Sequence, residues 1–104
     1  MILCAPNCGA IPTLKDDDIV EITCDITKAG AKAHKVQDAD ERAVELIRRV
    51  KAYERLASSA IRNRSVKDAV DCLTLHPLVN SYSLAKKLVN SYLKLNAEYC
   101  DGWK

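Results

Sequence analysis

The sequence predicts an α+β fold, with a small antiparallel sheet in the N-terminal third packed against three helices. Two observations carry this. Apolar residues alternate with period two up to about residue 36, and from residue 38 onward they recur every three or four residues. A third bounds it: 104 residues with 48% hydrophobic and 29% charged side chains make one globular domain of ordinary composition.

Ile2-Leu3-Cys4-Ala5 is expected to form a short buried strand, and Asn7 to Pro12 a turn, since Gly9 permits positive φ and Pro12 fixes its own. From Ile19 to Ile26, residues Val20, Ile22, Cys24 and Ile26 share one side while Glu21, Thr23 and Asp25 share the other. This spacing is that of a half-buried strand. Lys28-Ala29-Gly30 can turn the chain so that Ala31 to Val36 returns as a weaker strand.

Asp38 with Glu41 resembles a capping box opening a long helix, whose apolar stripe runs through Ala43, Leu46, Ile47, Val50, Tyr53, Ala57, Ala60 and Ile61 until Asn63. That stripe is the expected cover for the sheet, and the opposite, charged side is a solvated face. Ser65 to Asp68 is a second capping box, opening a shorter helix with Ala69, Val70, Cys72 and Leu73 inside; Pro77 stops it. Ser81 or Ser83 can cap a third helix bearing Leu84, Ala85, Leu88, Val89, Tyr92 and Leu93, with Gly102 as its terminator.

Composition excludes several function classes. Sixteen basic and 14 acidic residues give +2 without a basic cluster, so nucleic acid is not an expected partner. The only apolar start is far short of the ~20 residues that span a bilayer, so no membrane association is expected and the reading is a soluble, cytoplasmic protein. Five Cys at 4, 8, 24, 72 and 100 lack the spacing of a disulfide scaffold and read as reduced thiols. The glycines at 9, 30 and 102 never cluster, which excludes a phosphate-cradling loop. Cys4, Cys8, Cys24 and His34 are the best zinc candidates, but zinc sites show two close pairs and here only Cys4 and Cys8 are close. His34 and His76 are more readily packing or capping residues than catalytic bases, and the carboxylate pairs Glu21 with Asp25 and Asp68 with Asp71 read as solvated surface. The residues alone disclose no complete active site.

A resemblance adds to this. Asn7-Cys8-Gly9-Ala10-Ile11-Pro12-Thr13-Leu14, Val20-Glu21, Val50-Lys51-Ala52-Tyr53-Glu54-Arg55-Leu56, His76-Pro77-Leu78-Val79 and the pattern Ala85, Leu88, Tyr92, Leu93, Asn96 occur in the order seen in the C-terminal part of the family 4 glycosidases, most closely the 6-phospho-β-glucosidases. The chain departs from the usual pattern at Thr13, Lys15 and Thr23. The resemblance implies an enzyme that uses NAD and Mn²⁺ to oxidise the sugar at C3, eliminate the aglycone and reverse the oxidation, outside the two-carboxylate rule. It also implies that the dinucleotide and metal motifs lie outside the stretch matched here. The chain is thus expected to be a C-terminal fragment, itself non-catalytic, holding neither cofactor and supporting a phosphorylated-disaccharide site. The loop Asn7, Cys8, Gly9 would lie on the substrate side. Self-association as a homo-oligomer through Ile2–Ala5 or the helix from Leu84 to Tyr99 is expected; the alternatives are a stand-alone interaction module or a zinc-binding module.

Overall fold

A computed structural model describes residues 1–104. It contains, in order, strands β1 (Ile2–Pro6), β2 (Ile19–Thr27) and β3 (Gly30–Ala33), helices α1 (Glu41–Asn63), α2 (Val66–Leu75) and α3 (Tyr82–Leu95), and a short 3₁₀ turn at Ala97–Tyr99. The class is α+β with an antiparallel sheet of order β1-β2-β3. The chain forms two compact units, Met1–Arg48 and Arg49–Lys104, and α1 runs through the boundary.

In the first unit the register pairs Leu3 with Ile22 and Ala5 with Val20, then Cys24 with Ala33. Because side chains alternate across a strand, these pairs share one face, and there Val20, Ile22 and Cys24 are buried together with Ala10. Met1 extends the ladder: its carbonyl accepts from Cys24 N at 2.7 Å and its amino group donates to Cys24 O at 3.0 Å. β1 was expected to be buried throughout, but as an edge strand it alternates, with Leu3 and Ala5 half-buried and Ile2 and Cys4 exposed. Ile26 keeps the inward parity of its strand yet is 53% exposed. Its partner in the register is Ala31, too small to cover it.

The cap of α1 is Asp40 rather than Asp38. Its Oδ1 accepts from Arg42 N at 2.9 Å and Ala43 N at 3.4 Å, placing the acceptor directly before the first helical residue, where the unpaired amides are. The helix ends in a Schellman motif, with Arg64 at φ 51, Arg64 N bonded to Ile61 O and Ser65 N to Ala60 O. Of its predicted apolar stripe only Ala60 is fully buried, and Leu46 is 54% exposed.

In the second unit Ser65 caps α2 by accepting from Asp68 N at 3.1 Å, and Ser81 caps α3 by accepting from Leu84 N at 3.3 Å. Val70, Ala85 and Val89 form its buried centre, with Val66, Ala69, Leu73, Val79 and Leu93 packed around them. Gly102 does not terminate α3. Asn96 does, its Nδ2 donating to Tyr92 O at 2.8 Å, while Gly102 at φ 76 makes a later turn that brings Lys104 back to pair with Arg64 and Val66.

Candidate functional site

The loop between β1 and β2 is organised by one amide. Asn7 is fully buried and wholly engaged: Oδ1 accepts from Ile11 N at 2.7 Å, and Nδ2 donates to Ile11 O at 3.0 Å and Leu14 O at 3.3 Å. Its backbone N donates to Asp18 O and its carbonyl accepts from Ala10 N, each at 2.8 Å. Cys8 at φ 43 and Gly9 at φ 77 are the central residues of that tight turn. Positive φ at both positions is the mark of a type I′ turn, favourable for glycine and strained for cysteine. Asp18, also buried, holds the loop's far end by accepting from Lys15 N at 3.0 Å.

This loop and the segment from Ala31 to Lys35 line a cleft of about 420 Å³, with Asn7, Cys8 and Ala10 on one wall and Ala31, Lys32 and Lys35 on the other. Val36 N donates to Ala10 O at 2.9 Å and joins the two walls. Of the three residues expected on the substrate side, Asn7 faces inward as a scaffold, while Cys8 is exposed and Gly9 half-exposed at the turn. Small alanines and two lysines line the cleft, with no nucleophile paired to a base.

The other candidates stand apart. Cys4 and Cys8 are exposed and Cys24 is buried, all as free thiols. His34 Nε2 instead meets Asp25 Oδ1 at 2.9 Å, and that hydrogen bond and charge hold the Asp25 carboxyl below its usual range. No three His, Cys, Asp or Glu side chains converge anywhere in the chain. His76 stacks edge-on against Tyr53 at 4.7 Å and accepts through Nδ1 from Leu78 N at 3.2 Å, a packing and capping role. Asp71 pairs with Lys67 at 2.6 Å, which pushes the Lys67 ammonium up. A dinucleotide cradle does not fit these residues: Gly9 lies in the loop between β1 and β2 and Gly30 at the turn between β2 and β3, and neither belongs to a glycine-rich turn that opens a helix.

The second unit contains a feature that periodicity did not reveal. A groove of about 370 Å³ opens between the C-terminal half of α1, α2, α3 and the tail, lined by Tyr53, Ile61, Cys72, Leu73, Tyr92 and Trp103 among others. Burial pushes the Cys72 thiol up, and apart from Asn96 and the tyrosine hydroxyls the groove is lined by apolar side chains and thiols. The signal was present in the sequence only as a third helix with apolar residues on more than one face.

Residues 1–79 match the family model described as family 4 glycosyl hydrolase C-terminal domain. The chain is 33% identical over 93 residues to a probable 6-phospho-beta-glucosidase of Bacillus subtilis and 37% identical to the 6-phospho-beta-glucosidase BglT of Thermotoga maritima, covering 89% of this chain in each case. It spans only 21% and 22% of those relatives' lengths. A crystal structure of a 6-phospho-alpha-glucosidase from gut microorganisms with NAD and glucose-6-phosphate superposes with a TM-score of 0.89 at 30% identity, covering all of this chain and 24% of that one. The Thermotoga maritima 6-phospho-beta glucosidase with manganese, NAD⁺ and glucose-6-phosphate gives 0.79 at 36% identity, over 95% of this chain and 25% of the other.

Proposed function

The chain belongs to the family 4 glycosyl hydrolases as their C-terminal domain, and from this we propose that it is the non-catalytic C-terminal portion of a 6-phosphoglycosidase, acting in the cytoplasm on carbohydrate. The observation that carries the proposal is the extent of the match: nearly the whole chain aligns, but to about a fifth of each curated relative. Solved 6-phospho-alpha-glucosidase relatives are complexes with NAD and Mn²⁺ and with NAD and glucose-6-phosphate. By that likeness NAD supplies redox chemistry and the metal supplies electrophilic activation in the whole enzyme. Residues 1–104 offer neither clustered glycines nor three converging ligands.

The proposed task of this portion is support. Asn7 fixes the loop, Cys8 and Gly9 form the turn at its tip on the substrate side, and the cleft beside Lys32 and Lys35 suits a hydroxylated, anionic ligand. Five free cysteines agree with a reducing compartment. The test is an assay of the pure 104-residue protein with NAD⁺, MnCl₂ and p-nitrophenyl 6-phospho-β-glucoside. No nitrophenol release above the protein-free blank is expected. Turnover dependent on both cofactors would overturn the non-catalytic reading.

A further inference from the structure

Of the three glycines only Gly102 follows a carboxylate; Cys8 precedes Gly9 and Ala29 precedes Gly30. Asp101 and Gly102 form an exposed turn beyond the 3₁₀ segment, with Gly102 at φ 76. No hydrogen bond or ion pair engages the Asp101 carboxylate, and the Gly102 amide donates to no acceptor. A side-chain carboxyl carbon and the next backbone nitrogen are thus both accessible and both uncommitted. Glycine also places no side chain beside that nitrogen.

The fold restrains the other groups that could undergo the same chemistry. Asparagine cyclises onto the following amide more readily than aspartate, yet all five asparagines are held. The Asn7 side chain is locked in its loop and the next amide, Cys8 N, donates to Asp16 O at 3.0 Å. After Asn63 comes Arg64 N, bonded to Ile61 O at 3.2 Å, and Asn80 Oδ1 accepts from Arg49 at 2.7 Å. Asn90 lies inside α3, where the following amide belongs to the helix ladder, and Asn96 Nδ2 donates to Tyr92 O at 2.8 Å. None of the remaining aspartates precedes a glycine.

We propose that Asp101–Gly102 is a site of spontaneous isomerisation of the main chain. The Gly102 nitrogen attacks Asp101 Cγ in its carboxylic acid form. The new C–N bond closes a five-membered succinimide, and the carboxyl hydroxyl leaves as water with the amide proton. Water then adds back across one of the two ring C–N bonds. Opening at Cγ restores aspartate. Opening at the Asp101 carbonyl carbon routes the main chain through Cβ and Cγ and leaves a free α-carboxylate, which is isoaspartate. Water is released once and taken up once, and no other reagent takes part.

The main chain is then one methylene longer immediately before the anchor of the tail. Lys104 N donates to Arg64 O at 2.9 Å and Val66 N to Lys104 O at 2.7 Å, while Arg64 Nη1 sits 2.8 Å from where a Cβ on Gly102 would stand. Trp103 lies between the turn and this anchor and lines the apolar groove. The longer chain breaks the register of the anchor and draws Trp103 toward water, so the groove wall changes as the molecule ages.

The test is incubation of the intact protein in warm neutral buffer followed by trypsin, which releases Leu95–Lys104, a peptide with one aspartate. Isoaspartate in this peptide is read by electron-transfer fragmentation, and by methyl transfer from S-adenosylmethionine to its new carboxylate with an isoaspartyl methyltransferase. It should rise with time, accompanied by a form lighter by one water, and exceed that of every other peptide severalfold. Asp101→Glu changes an exposed, unpartnered side chain; circular dichroism should be unchanged and the product lost, because closure would need a six-membered ring. The separated isomerised protein should show Trp103 emission shifted to the red. A tail peptide that stays unmodified, or equal accumulation elsewhere in the chain, would overturn the assignment. So would the same product from Asp101→Glu, which would place the reaction at Asn96, or unchanged Trp103 emission in the isomerised fraction.

Discussion

Asn7 spends its whole side chain on its own loop, which makes it a sensitive position in the first unit. Alanine there would leave Ile11 N–H and Leu14 O without their Asn7 partner and Ile11 O with the Leu14 N–H alone, around a side chain that is itself fully buried. Leaving a buried donor or acceptor unpaired costs ~1–3 kcal/mol, and Asn7→Ala is expected to lower unfolding free energy by about 2 kcal/mol. Aspartate is nearly the same size but would set an oxygen against two carbonyls, so Asn7→Asp should be at least as harmful near neutral pH. Urea unfolding of both variants decides it; equal stability of the aspartate variant and the parent would mean that the amide bonds do not hold the loop. The sequence placed this residue in a turn, which is correct. That its amide is the turn's interior was not legible, because a buried asparagine and an exposed turn asparagine have the same local sequence.

At the scale of elements, caps and periods were legible in proportion to how local their causes are. The sequence reads Ser65 as one cap and Ser81 or Ser83 as another, and Ser65 and Ser81 are the caps, since the hydroxyl and the amide it bonds are three residues apart. Ser65→Ala is therefore expected to destabilise by ~1 kcal/mol and Ser65→Gly by only a few tenths, measurable by the same urea transitions. An alanine variant as stable as the parent would show that the amide of Asp68 finds water at no cost. Asp38 and Asp40 compete for one role on a spacing of two residues, and only the geometry that brings Asp40 Oδ1 to Arg42 N and Ala43 N selects between them. Gly102 has the positive φ expected of it, but in a turn beyond the 3₁₀ segment, because Asn96 closes α3 with its own side chain first. The cost of holding Arg64 at positive φ is offset by the two Schellman bonds around it.

At the scale of the whole chain the balance between interior and surface decides behaviour. With no Phe and one Trp, the interior is filled by small and branched residues, and the largest side chains with almost no exposure are no bigger than Asn7 and Cys24. Leu78, Leu95 and Tyr99 stand 80% or more exposed. Contiguous apolar surface of more than a few hundred Å² on a folded protein normally meets a partner, and until it does it binds amphiphilic dyes. The folded protein at submicromolar concentration is accordingly expected to enhance 1-anilinonaphthalene-8-sulfonate fluorescence without denaturant, with energy transfer from Trp103 because that residue lines the groove. Near-UV circular dichroism must remain native-like in the same sample, since dye binding with lost tertiary signal marks a molten state instead. Dye binding that is absent when dilute, or unaffected by Ile61→Asp, would place the accessible apolar surface elsewhere than the groove.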